Sequence, residues 1–450
     1  MHCSSSALEL TRAYAAGLTD PVEVFEAALA KVAEVPSAFI SLTAERGRRE
    51  ALASRARWQA GQALSALDGV PFAWKDLFDV AGSVSTAGSA TRRELAPAST
   101  DAALVGALTR AGLVNLGKTN LSEFAYSGLG LNPHFGTPIN PFSGREPRVP
   151  GGSSSGSAVA VAAGVVPLAM GTDTAGSIRI PVAFNGLVGY RSSRRRYAFD
   201  GVFPLARSLD ALGPLARNVE DVLAVDRLLR GGLASNCTTA CSLFGVRLYV
   251  DPAWIDDSRV QPAVRRNLEW ALERLACAGA VIERKPIMAM REALAMIERG
   301  DWVGSAEAFA LHENLLDSAD ATRLDPRVRK RLEGARSMSA SHQIRLYQQG
   351  ESLRRQLADE LDGAFVVTPT VAHVAPLLAP LEADEALFVA TNLATLRLTM
   401  PGSLLDMPGV ALPSGFDEHG LPTSLLLAAP SAADDLLLRA ALAVEAALRP

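Results

Sequence analysis

Apolar residues recur along this chain in two rhythms. Short, largely apolar runs at 70–74, 113–116, 166–170, 187–190, 244–250, 281–284, 365–368, 409–412 and 424–427 predict strands, and the runs without polar alternation read as strands covered on both faces. Between them lie segments with helical spacing. Asp20, Pro21 and Glu23 supply an N-cap, a first-turn proline and an early acid, predicting a helix to about residue 33. A charged, alanine-rich stretch at 45–63 predicts a surface helix, and 104–111, 158–163 and 219–229 predict three more. Strands alternating with helices indicate the α/β class: a single large domain over residues 1–450, with a mixed β-sheet covered by helices on both faces. No fixed-period repeat or low-complexity linker divides the chain. The stretch 286–350 is more helical and more charged and reads as a solvated excursion.

Composition narrows the function. The 450 residues are 48% hydrophobic and 20% charged, as in a soluble globular protein with a large core, and the net charge of −4 leaves no footprint for a polyanion. Nucleic acid is not an expected ligand. The N-terminus lacks a basic segment followed by an apolar one, and no run reaches the roughly 18 apolar residues of a membrane span, so a cytoplasmic location without membrane contact is expected. Cys3, Cys237, Cys241 and Cys277 form no CxxC pair and the six histidines are scattered, so no metal site is assigned; Cys237 and Cys241 read as ordinary thiols.

Gly112 to Thr119 matches the phosphate-binding pattern GxxxxGK[ST] letter for letter. The order of elements is wrong, however. A helix precedes Gly112 and the strand falls between the two glycines, whereas the motif needs a strand before and a helix after. Nucleotide binding is not expected there.

Two glycine–serine loops are more informative: Gly151-Gly-Ser-Ser-Ser-Gly-Ser157 and Gly171-Thr-Asp-Thr-Ala-Gly-Ser-Ile-Arg179. The first runs straight into a close-packing small-residue helix, unlike a flexible linker, and suits either an anion cradle or a catalytic loop. A catalytic serine needs a base, and no histidine is near in sequence. Lys75 follows an apparently buried strand, where desolvation lowers a lysine toward the range of a general base; the alternative is a structural pair with Asp76 or another carboxylate. In the second loop, consecutive amides at Thr174, Ala175, Gly176 and Ser177 suit an oxyanion, with Ser177 as the nucleophile.

These residues resemble the amidase signature family of serine hydrolases. The lysine motif Gly69-Val-Pro-Phe-Ala-Trp-Lys-Asp-Leu-Phe-Asp-Val80, both serine loops, Gly117 to Ala125 and Pro408 to Pro413 are all similar to family segments, with the likeness weakest from about 245 to 350. The resemblance implies an amidohydrolase that needs no cofactor. Ser177 is then the nucleophile, Ser153 a relay serine after a cis peptide, and Lys75 the base; Thr174, Ala175, Gly176 and Ser177 form the oxyanion hole, with Ser154, Asp173 and Arg179 in support. It also implies a small-molecule amide substrate, a homodimer, and a 245–350 region bordering the substrate pocket. The chain departs from the family at Gly189-Tyr-Arg-Ser-Ser-Arg-Arg-Arg196, where many members carry a proline, and this puts the rigidity of that connection in question. Arg179 or the 191–196 arginines are candidates for a substrate carboxylate, and Phe124, Tyr126 and Phe135 for an aryl pocket. A glutaminase component of a glutamine-dependent tRNA amidotransferase is the second reading, and a noncatalytic anion-binding protein the third.

Overall fold

The computed structural model describes residues 5–232 and 242–449. Its strands, in chain order, are β1 (Phe39–Leu42), β2 (Pro71–Lys75), β3 (Val114–Thr119), β4 (Leu168–Asp173), β5 (Val188–Arg191), β6 (Ala211–Ala216), β7 (Arg247–Val250), β8 (Val281–Arg284), β9 (Phe365–Pro369), β10 (Gly409–Phe416) and β11 (Pro422–Ala428). They form one sheet in the order β1-β3-β2-β4-β6-β5-β10-β11-β9-β7-β8. Pairing is parallel at β3-β2-β4 and β9-β7-β8 and antiparallel elsewhere, so the sheet is mixed, as expected.

Alternation along the strands splits the apolar side chains into two cores, one on each face. Phe72, Trp74, Tyr190, Leu212 and Leu427 join one; Ala73, Val114, Ala169, Leu215 and Leu426 join the other. Helices Val219–Leu229 and Asp434–Leu448 bury their apolar stripes in the first core, while Pro21–Lys31 and Ser155–Ala162 pack in the second. The Pro21–Lys31 helix starts as the sequence predicts, with the Asp20 carboxylate accepting from the amides of Val22 and Glu23.

Two strands escape the hydrophobic pattern. β1 is a short, half-buried edge strand with an irregular register against β3, so it lacks both a buried run and a clean alternation. β6 carries Gly213 and Pro214, residues that argue against a central strand. Here β5 pairs only with Leu215 and Ala216, which leaves Pro214 without a partner on that side, and a Cβ at Gly213 would fall 1.7 Å from the Tyr190 carbonyl oxygen. The close approach requires glycine.

The charged stretch folds into helices Met288–Glu298, Val303–Leu316, Pro326–Glu333 and Ala340–Leu361. The segment after β5 is held despite its missing proline. Arg191 donates to the carbonyls of Ser192, Met407 and Leu209, Arg194 pairs with Asp406, and Arg196 grips Asp226 through two nitrogens. Cys3, Cys237 and Cys241 lie outside the described residues; Cys277 is an exposed free thiol. Among the described residues there is no cluster of three or more metal-ligating side chains, and no helix is long and apolar enough to cross a membrane.

Candidate active site

Parallel pairing sets the ends of β2 and β4 side by side, and the site is built where both strands stop. Lys75 is the last residue of β2 and is fully buried. Its Nζ donates to Ser153 Oγ at 2.7 Å and to Thr172 Oγ1 at 2.8 Å, with the Thr172 carbonyl at 3.4 Å. No carboxylate forms an ion pair with it among the described residues. The structure therefore rules out the pairing with Asp76, whose carboxylate lies 2.6 Å from Lys118 Nζ, both groups being buried. Burial pushes the Lys75 ammonium down from its ordinary 10.5 to about 7, against the pull of Asp173 and Asp210. The same Lys118 pair disposes of the phosphate-binding pattern, since its lysine lies inside β3 and is neutralised by Asp76.

Ser153 follows a cis peptide from Gly152. The next residue joins the two serine loops: the Ser154 amide and hydroxyl both donate to the Ser177 carbonyl, at 3.3 and 2.5 Å. Glycine is needed here because a Cβ at Gly152 would lie 2.6 Å from the Gly130 amide nitrogen and 2.8 Å from the Ser127 carbonyl oxygen. The Ser177 hydroxyl has no hydrogen-bond partner among the described residues, and Ser177 lines a narrow hollow of about 10 Å³.

Asp173, the last residue of β4, organises the second loop. Its carboxylate receives Arg179 through Nε at 2.9 Å and Nη2 at 2.8 Å, together with the amides of Gly176 and Ile178 at 2.8 and 3.1 Å. Burial alone would raise this carboxyl, but the charge and hydrogen bonds of Arg179, with Arg191 and the Ile178 amide, outweigh it and hold it at about 2. One consequence corrects the expected oxyanion hole: the Gly176 amide is already engaged by Asp173. The amides of Thr174, Ala175 and Ser177 have no such partner among the described residues.

The structure also redistributes the substrate candidates. Arg179 is spent on Asp173, the Thr399 carbonyl and the Ser403 hydroxyl, and Arg191, Arg194 and Arg196 are occupied as described above, so these four are not free to receive a carboxylate. Phe124 is core, its ring tilted against His312 at 4.1 Å between ring centroids. Phe135 takes no part in the wall of the hollow and lies under the Arg93 guanidinium. Tyr126 does line it, and its buried hydroxyl has no partner among the described residues.

Sequence reasoning missed four contributors. Thr172 is a second ligand of Lys75, and Asp210 accepts the Thr174 hydroxyl and the amides of Leu205 and Ala206, with burial raising its carboxyl to about 6. Trp302 and Arg331 line the hollow from the charged excursion. Arg331 stacks over the Tyr126 ring at 4.2 Å and donates to the Tyr126 carbonyl, yet forms no ion pair among the described residues. Thr172 sits within the second serine loop, but no local pattern marks Asp210, Trp302 or Arg331, which contacts distant in sequence bring to the site.

The chain belongs to the amidase signature family: the family profile described as Amidase matches residues 20–438. Its activity is that of a hydrolase acting on a carbon–nitrogen bond. It is 35% identical to a 2-amino-5-chloromuconic acid deaminase of Comamonas testosteroni over 409 residues, covering 89% of this chain and 86% of the relative. It is 33% identical to a component of the glutamyl-tRNA(Gln) amidotransferase of Symbiobacterium thermophilum over 478 residues, covering 98% and 96%. Among solved structures, an amidase crystal structure superposes with a TM-score of 0.86 at 30% identity, covering 99% of this chain and 100% of that one.

Proposed function

We propose that the protein hydrolyses a small carboxylic amide to the acid and ammonia or an amine through a Ser177 acyl-enzyme. The observation that carries this reading is a buried lysine with no counterion among the described residues, poised near neutrality and hydrogen-bonded to Ser153. Neutral Lys75 takes the Ser153 proton as Ser153 takes that of Ser177, whose Oγ attacks the carbonyl carbon. The oxyanion that forms is received by the amides of Thr174, Ala175 and Ser177. As the C–N bond breaks, the proton returns through Ser153 to the leaving nitrogen. Water then attacks the ester by the same relay and frees the acid. The scheme uses only these side chains, amides and water. Ser154, Asp173 and Arg179 hold the loops in place.

The substrate reading follows from charge. Among the described residues, Arg331 is a cation without an acidic partner in the same hollow as Ser177, and the unpaired Tyr126 hydroxyl is a second donor, so the two suit a carboxylate on the substrate. A relative whose name specifies an acid, 2-amino-5-chloromuconic acid, is consistent with this. The reading carries with it a cytoplasmic homodimer, and sedimentation velocity of the purified chain checks the oligomeric state.

The decisive experiment is covalent labelling. A fluorophosphonate should modify the protein at Ser177, and Ser177→Ala should lose both labelling and at least about a thousandfold in kcat. Full turnover by the variant would overturn the assignment. Likeness to the amidotransferase component supports a second reading, a glutaminase working with partner proteins. Ammonia release from glutamine, stimulated by a copurifying partner, would favour it.

A further inference from the structure

Beyond the hollow at Ser177 lies a groove of about 210 Å³, walled by apolar residues of the helices Pro326–Glu333 and Glu385–Leu396 and by Leu131. Tyr126, Ser127 and Arg331 line both spaces, so hollow and groove are neighbours and Arg331 stands between them. The groove's other charges are neutralised within its rim. Arg327 pairs with Asp325 and Lys330 with Glu385, which leaves, among the described residues, an apolar channel leading away from a cation that has no acidic partner. Val389 and Leu393 line it while remaining 43% and 56% exposed, an arrangement that costs free energy unless something apolar covers them. The wall is also tied to the reactive end: Asn392 Oδ1 accepts from the Ser127 hydroxyl at 3.1 Å and from the Gly128 amide at 2.8 Å.

We propose that this groove is the second half of the substrate site and takes an apolar branch, alkyl or aryl, carried on the carbon next to the carboxylate that Arg331 receives. The inference rests on the reading of Ser177 as nucleophile and Arg331 as carboxylate receptor. The substrate class is then a dicarboxylic acid monoamide with an apolar substituent: the amide in the hollow, the carboxylate at Arg331, the branch in the groove. The hollow alone is narrow, with about 10 Å³ of interior space, so a substrate must extend beyond it. The three residues shared with the reactive end favour the substrate's own branch over a separate protein partner.

The test compares ammonia release by the full chain from succinamic acid and from its 2-alkyl derivatives, methyl to hexyl. We expect kcat/KM to rise about threefold to fourfold per methylene over the first few carbons. Leu393→Asp, a change at an exposed position, should flatten that rise. Binding of 2-hexylsuccinate and of succinate to the Ser177→Ala protein is measured by calorimetry in parallel, which keeps the groove testable whatever the turnover. The hexyl compound should bind at least about 30-fold more tightly than succinate, and Leu393→Asp should remove the difference. Equal affinities, a flat chain-length series, or equal slowing of every member by Leu393→Asp would overturn the proposal, as would equal affinities accompanied by a copurifying protein that Leu393→Asp releases. Failure of the underlying reading looks different: tight, chain-length-dependent binding with no ammonia from any amide.

Discussion

Replacing Lys75 with methionine keeps all but the terminal atom's reach of the side chain and discards its charge, and should stabilise the fold at neutral pH while abolishing turnover. Between pH 7 and the ordinary lysine value of 10.5, the unfolded chain holds a proton that buried Lys75 has released. Wild-type stability therefore rises with pH across that window, and the folded state carries the full penalty at and below about pH 7. At about 1.4 kcal/mol per pH unit, the penalty amounts to roughly 5 kcal/mol. Methionine also deprives the Ser153 and Thr172 hydroxyls of a partner, which costs about 1–3 kcal/mol. The variant should thus gain about 2–4 kcal/mol at pH 6.5, and the gain should fall by about 1.4 kcal/mol per pH unit above 7, vanishing between about pH 8.5 and 10. Urea unfolding of both proteins at pH 6.5, 8 and 9.5 measures this. The matching kinetic expectation is a wild-type kcat/KM that rises about tenfold from pH 6 to 8 and then levels, as the neutral lysine grows from about 9% to about 90%. A stability difference that stays constant with pH, or a profile without an inflection near 7, would refute the reasoning.

Asp173→Asn should lower stability by about 3–5 kcal/mol, read from the urea midpoint, because it strips the carboxylate charge from buried Arg179 and Arg191. Since the Asp173 carboxyl is held at about 2, its contribution is present above its ordinary 3.8 and lost only as pH falls through about 2, so the deficit should be the same at pH 5 and pH 8. Arg331→Ala should raise KM for succinamic acid by about 10- to 100-fold while leaving kcat/KM for an uncharged amide within about threefold. Equal losses on both substrates would show that Arg331 shapes the hollow rather than receiving charge.

Much of this architecture is written in local pattern. The buried runs that became β2, β3, β4, β5, β9, β10 and β11 are legible because both faces of the sheet are covered, so each strand carries a largely apolar run without polar alternation. The missed strands obey longer-range demands: β6 needs Gly213 to admit the Tyr190 carbonyl and carries Pro214 where its pairing with β5 has stopped. The serine loops and Lys75 stand out because their residue types sit in unusual company, and geometry then distinguishes a free base from a paired cation. The wall of the hollow is the reverse case. Arg179 looks available in sequence and is fully engaged, while Arg331 resembles any other charge on a solvated helix until folding sets it over Tyr126.

The Asp76–Lys118 pair has a consequence for how the sheet handles charge. In the β2–β3 register Lys118 stands beside Trp74 and Lys75 beside Thr119, and neighbours in register share a face while successive residues alternate, so the pleat sends the two lysines to opposite sides. One side holds an ammonium neutralised by a carboxylate next to Lys75 in the chain; the other holds an amine whose strongest acidic influences, Asp173 and Asp210, come from other strands and loops. The backbone acts as a partition between a compartment that fixes charge and one that releases it. A single step along β2 separates the two, so a one-residue slip in this strand would turn Lys75 toward the Trp74 side and cost the protein its base while leaving its composition untouched.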